Sequence, residues 1–164
     1  MRPPPDTPAP GQESVWDYPR PAVAERTDKL LEVVFGGQVI ASTRAGVRTL
    51  ETSHPPTYYF PPGDVARGAL QAVPGRSLCE WKGQARYFDV VSGGARAARA
   101  AWTYPDPTEG FRRLAGFVAF MPGAMDACRV DGEVARAQEG GFYGGWITAD
   151  LAGPFKGGPG SWGW

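Results

Sequence analysis

Residues 50–62 (LETSHPPTYYFPP) place a carboxylate, the chain's only imidazole and two phenols within nine positions, Glu51 to Tyr59. Proline fixes φ near −65° and pushes the residue before it out of the helical region, so Pro55-Pro56 and Pro61-Pro62 stiffen this stretch. A stiff loop suits groups that must be held without reorganisation. His54 in such a loop can act as a general acid or base, with Glu51 orienting its other nitrogen. Tyr58 or Tyr59 can donate to a developing anion. The plainer alternative is that Glu51 and His54 satisfy backbone groups of a tight loop while the tyrosines pack.

A second group is Ser77-Leu78-Cys79-Glu80-Trp81-Lys82-Gly83. Trp81 offers a stacking face and Lys82 a compact cation for a carboxylate or phosphate. A cation near Cys79, from Lys82 or His54, favours the thiolate and makes Cys79 a candidate nucleophile. Burial as an inert small hydrophobe is the competing role for Cys79, and a surface ion pair for Lys82. The third group, Ala101-Trp102-Thr103-Tyr104-Pro105-Asp106-Pro107, ends a strand in a turn ordered by proline. Alternation puts Trp102 and Tyr104 on one face, where they can wall a pocket with Trp81 and Tyr58 or simply join the core. Asp126 and Cys128 share a face of their own strand and come into reach of the same cavity if it extends that far.

Other chemistries lack their residues. There is no Walker-type glycine loop, no dinucleotide fingerprint after a strand, no His-Glu-x-x-His or Gly-x-Ser-x-Gly, and no Cys-x-x-Cys. Cys79, Cys128 and His54 are too few for a closed structural zinc site, so no metal and no cofactor is expected. The 17 basic and 17 acidic residues cancel, which removes the basic footprint of a generic nucleic-acid binder. No apolar stretch approaches the ~18 residues of a spanning helix, so no membrane partner is expected. Prolines and charges occupy residues 1–29, where a signal peptide carries an apolar region, so a cytoplasmic protein with reduced cysteines is expected.

Elements must bring these groups together. Glycine (23) and proline (17) are abundant, yet 42% of residues are hydrophobic, including six Trp, six Tyr and eight Phe. That is too apolar for a disordered chain and points to a turn-rich, mostly β single domain of antiparallel hairpins with one short helix and extended ends. Leu30–Phe35 and Gln38–Thr43 flank Gly36-Gly37, a hairpin signal. Thr57–Phe60 reads as a short strand and 64–70 as one or two helical turns. Ala85–Val91 and Ala95–Thr103 read as a second hairpin across Ser92-Gly93-Gly94. Leu114–Met121 reads as a buried strand forming a hairpin with Met125–Val130, with Asp131-Gly132 as the next turn. The expected organisation is a disordered Pro-rich start (1–12), an aromatic arm (13–29), a β domain (30–137) and a Gly/aromatic tail (138–164). That tail packs on its own domain or on a neighbouring subunit.

The sequence resembles the DUF427 family, a domain of unknown function sometimes labelled nucleotidyltransferase-like. The residues that carry the resemblance are Val34-Phe35-Gly36-Gly37, Leu50-Glu51-Thr52 with His54-Pro55-Pro56, Tyr58-Tyr59-Phe60-Pro61, and Cys79 with Trp81-Lys82-Gly83. To these are added Trp102 through Pro107 and Gly116-Phe117-Val118-Ala119-Phe120. Glu80 stands where the family pattern usually has proline. The resemblance implies a small fold similar to the β-tent or Mss4-like group, whose members often hold zinc or a small ligand between two sheets. The zinc cysteines are absent here. The nucleotidyltransferase label finds no paired carboxylates or phosphate loop to rest on.

Two functions follow as expectations. One is a small-molecule pocket walled by Tyr58, Tyr59, Trp81, Trp102 and Tyr104, with Glu51, His54, Cys79 and Lys82 as its polar and candidate catalytic groups. The other is an interaction or assembly module, forming a homo-oligomer through the aromatic arm and tail.

Overall fold

Glycine pairs set the hairpins. In the computed structural model, which describes residues 2–79 and 81–164, the N-terminal segment supplies β1 (Glu13–Ser14) and β2 (Val23–Thr27). Strands β3 (Leu31–Phe35) and β4 (Gln38–Thr43) then join across Gly36-Gly37. Both glycines have positive φ (59° and 74°), the geometry of a two-residue turn that matches strand twist. After β5 (Gly46–Leu50) and β6 (Thr57–Phe60) come three longer strands, β7 (Leu70–Cys79), β8 (Gly83–Ser92) and β9 (Ala95–Thr103). The chain continues through β10 (Val118–Phe120) to β11 (Ala127–Val130) and β12 (Glu133–Val134), which turn at Asp131-Gly132. Strand β13 (Arg136–Ala137) leads into the tail, which adds β14 (Trp146–Ile147) and β15 (Leu151–Ala152).

Seven strands form one antiparallel sheet in the order β2-β5-β6-β10-β9-β8-β7, and four form another in the order β12-β11-β3-β4. The two share a core in which Leu31, Val33 and Ile40 meet Tyr58, Phe60, Val90, Val118 and Phe120. The opposite face of the seven-stranded sheet carries a second apolar cluster with Val47, Tyr59, Ala85, Tyr104 and Ala119. Both faces of this sheet are therefore apolar, and strand alternation sends neighbouring residues to different clusters. The candidate chemistry lies on the second face.

Three expected elements differ. Residues 64–70 form no helix beyond a 3₁₀ turn at Pro62–Asp64; Gly68 adopts φ 82° and the Ala66 amide donates to the Ile40 carbonyl. So short a segment cannot repay helix nucleation. Leu114–Met121 is mostly not strand, because a 3₁₀ segment runs over Glu109–Leu114 and Gly116 turns the chain at φ 73°. Strand β11 does not pair with β10. The 3₁₀ turn Pro122–Ala124 carries the chain to the other sheet, where β11 joins β3 and buries Cys128 and Val130 in the shared core.

Arm and tail meet each other. Strand β1 pairs in parallel with β15, and Val15, Tyr18, Leu50 and Leu151 form a third cluster. The Trp16 and Trp164 rings lie 5.6 Å apart. Residues 2–9 have no regular structure, but the Asp6 amide donates to the Gly153 carbonyl. Trp146 of β14 is fully buried against Tyr58 and Phe60. Among the described residues no helix is long and apolar enough to cross a membrane.

Candidate functional site

Adjacent strand residues face opposite ways, so Tyr58 and Tyr59 cannot both wall one pocket. Tyr59 faces the second cluster, with Trp102 and Tyr104 from the neighbouring end of β9. The turn between β7 and β8 adds Cys79, Trp81 and Lys82, and the loop between β5 and β6 adds Glu51 and His54. Together these eight residues line one cavity of about 490 Å³. Tyr58 does not line it. It points into the core between the sheets, 5.0 Å from Trp146, where burial pushes its pKa up to about 12. Asp126 and Cys128 are also elsewhere: Asp126 accepts the Gly37 amide at 2.9 Å, and Cys128 is buried between the sheets with its thiol pushed up to about 12. Glu80 lies outside the described residues.

The Glu51–His54 pair is held by a residue of the tail. Gln138 is 4% exposed. Its Oε1 accepts the Gly145 amide at 3.2 Å, and its Nε2 donates to the Lys156 carbonyl at 2.7 Å. Those partners fix the orientation of the amide. The second hydrogen on Nε2 reaches His54 Nδ1 at 3.1 Å, so Nδ1 accepts and the ring proton sits on Nε2. That nitrogen lies 3.6 Å from Glu51 Oε2. Burial, and then the positive charges of Lys156, Arg20 and Lys82, lower the His54 pKa to about 4. The neutral ring therefore offers an N–H at physiological pH, with its basic nitrogen engaged. Gln138 takes up the orienting role expected of Glu51, whose carboxylate lies near the ring N–H but beyond hydrogen-bond distance.

Around the rest of the cavity, Lys82 Nζ sits 3.9 Å from Cys79 Sγ and 5.8 Å from the Phe111 ring centroid. The turn that presents it is tied down by Thr108, whose hydroxyl donates to the Trp81 carbonyl and whose amide donates to the Lys82 carbonyl. On the β8–β9 side, the Arg99 guanidinium lies 4.3 Å from the Tyr87 ring centroid. Burial raises Tyr59 and Tyr104 well above the ordinary phenol range, so both keep their protons. Among the described residues no group of three or more His, Cys, Asp or Glu is gathered to hold a metal ion.

Sequence reasoning passed over the fourth wall. Gln138, Tyr143, Gly144 and Lys156 all line the cavity. The Tyr143 ring stands edge-on to His54 with centroids 4.9 Å apart. Gly144 passes so close to Trp102 that a Cβ there would lie 2.3 Å from the indole. The ring density of the tail was the available signal for Tyr143; nothing in the sequence marks Gln138.

A second concavity lies beside β2 and β5. It is larger, about 960 Å³, and is lined by Glu13, Glu25, Lys29, Arg48, Asp150 and exposed arginines. Arg48 bridges Glu13 and Glu25, each at 2.6 Å, and Lys29 pairs with Asp150 at 2.8 Å.

The family model of the domain of unknown function DUF427 matches residues 23–131, two thirds of the chain, and the chain belongs to that family. None of the curated proteins compared with it matches. The matched stretch holds Glu51, His54, Cys79 and Lys82 but ends before Gln138, Tyr143 and Lys156.

Proposed function

We propose that this DUF427 member binds a small molecule with a planar ring in the cavity between β9, the β7–β8 turn and the tail. The observation that carries the reading is the convergence of Trp81, Trp102 and Tyr104 with Glu51, His54, Cys79 and Lys82 on one cavity. Its size lies in the range of ligand sites, and its make-up of aromatic walls with few polar groups is typical of them. The neutral His54, whose basic Nδ1 is taken by Gln138, favours binding and orientation over acid–base catalysis by that ring. A cytoplasmic setting fits the two unpaired cysteines.

The six indole N–H groups give an NMR test. Small planar heteroaromatic compounds are expected to shift the Trp81 and Trp102 signals in a saturable way while Trp16 and Trp146 stay fixed. If no indole signal moves, or only those remote from the cavity do, the proposal fails.

Assembly through the arm and tail is the second reading, and the exposed Phe142 and Trp162 favour it. Against it, β1 and β15 already pair with each other and Trp146 is buried in its own chain. Sedimentation reporting a monomer at all concentrations removes it.

A further inference from the structure

Aromatic walls alone do not say what charge a ligand carries, since electron-rich ring faces also attract organic cations. The ionic groups around the cavity decide between the two. Lys82 and Lys156 are both partly buried and both line it. Among the described residues neither has a side-chain carboxylate within 4 Å. Among the described residues the Lys82 ammonium lies near the Cys79 sulfur and the Phe111 ring, while Lys156 Nζ donates at 3.2 Å to the main-chain oxygen of Trp164, the last residue of the sequence. Glu51, the one carboxylate lining the cavity among the described residues, faces His54. A partly buried ammonium such as that of Lys82 loses hydration without a counter-charge in return, and an arriving anion restores one, with Lys156 able to add a second hydrogen bond beside the one it makes to Trp164.

Resting on the binding reading above, we infer that the ligand is a planar ring bearing an anionic group, a carboxylate or a phosphate, seated at Lys82 and Lys156 with its ring against Trp81 and Trp102. The neutral groups of the site agree. His54 presents Nε2–H, and Tyr59 and Tyr104 keep their hydroxyl protons, so the cavity offers donors to an acceptor-rich ligand. A cationic ligand would meet two like charges at close range.

A charge series on one ring tests this: indole-3-acetate, indole-3-acetamide and tryptamine, each titrated into the full-length protein by the same indole NMR readout. The acid is expected to bind at least about tenfold more tightly than the amide, with the amine weakest. The K82Q/K156Q double variant, checked for an unchanged melting temperature, is expected to bring acid and amide within about threefold. The single variants serve as substitutes if the double variant does not fold. Equal binding of acid and amide, preference for the amine, or an unchanged ratio in the variants overturns the anion assignment and leaves the pocket reading standing. If none of the three compounds shifts Trp81 or Trp102, both readings fall.

Discussion

The two concavities of this molecule differ in how their charges are settled. The larger one beside β2 and β5 has its most buried cation, Arg48, matched to Glu13 and Glu25, and Lys29 matched to Asp150. Its remaining arginines, Arg26, Arg44 and Arg113, are exposed, where water solvates them. Among the described residues the smaller one leaves Lys82 and Lys156, both partly buried, without a side-chain carboxylate partner and surrounds them with rings. Volume alone would pick the larger cleft. Unsatisfied charge next to stacking surface picks the smaller, because a site must keep interaction energy in reserve for its ligand. A matched ion network has already spent that energy on holding the arm to the sheet.

This contrast can be tested by attacking each region. The largest effect is expected from Trp146→Ala. The side chain is fully buried and anchors the tail that supplies the fourth wall of the small cavity. Its loss should cost about 3–5 kcal/mol in urea unfolding and abolish the ligand-induced shift of Trp102. Retained binding in a folded W146A protein would show that the tail is dispensable to the site.

Arg48→Ala should do the reverse, weakening the fold while sparing the site. The Arg48 side chain is only 16% exposed, but its partners are 42% and 45% exposed, so solvent screens the pair. A loss of about 1–2 kcal/mol is expected, below that of a fully buried pair. Burial raises the Glu13 pKa, but hydrogen bonds from Arg48 and Tyr18 outweigh it and leave the carboxyl below its ordinary value. A depressed carboxyl stabilises the fold above its unfolded pKa and loses that contribution as pH falls through the folded one. The wild type should therefore lose more stability than R48A on acidification below about pH 4.5. Parallel pH curves for the two proteins would contradict the assigned network.

The subtlest effect concerns His54. Its pKa falls from an ordinary 6.5 to about 4 because the ring is buried neutral. The unfolded chain therefore binds the proton more readily between those values. The stabilising effect of a neutral His54 is complete above pH 6.5 and is lost as pH falls towards 4. Denaturation of His54→Gln across this window should give a flatter dependence than the wild type. An equal slope would mean that the ring is already charged in the fold.

How far the sequence carried is visible at four places. The hairpin at Gly36-Gly37 was readable because two consecutive glycines with positive φ between apolar runs leave few other conformations. Tyr58 and Tyr59 show the limit of local reading. Residue type nominated both, whereas alternation allows only one per face, and which face holds the cavity depends on the second sheet. Partner choice for β11 was out of reach for a similar reason. Its apolar pattern fits either neighbour, and a 3₁₀ turn after β10 made the choice. Gln138 was illegible altogether: an isolated glutamine in a Gly-rich stretch has no local signature, and its importance comes from meeting His54 from 84 positions away.

The pairing of β1 with β15 joins residues 13–14 to residues 151–152. Contacts so distant in sequence are among the slowest to form, because nearly the whole chain must be closed into a loop first. During synthesis the two sheets can assemble while the cavity still lacks a side. The cavity proposed to bind a ligand is complete only when residue 156 has emerged and the tail has settled over Trp102. A polypeptide cut short in its last two dozen residues would lack both the fourth wall of the cavity and the buried Trp146.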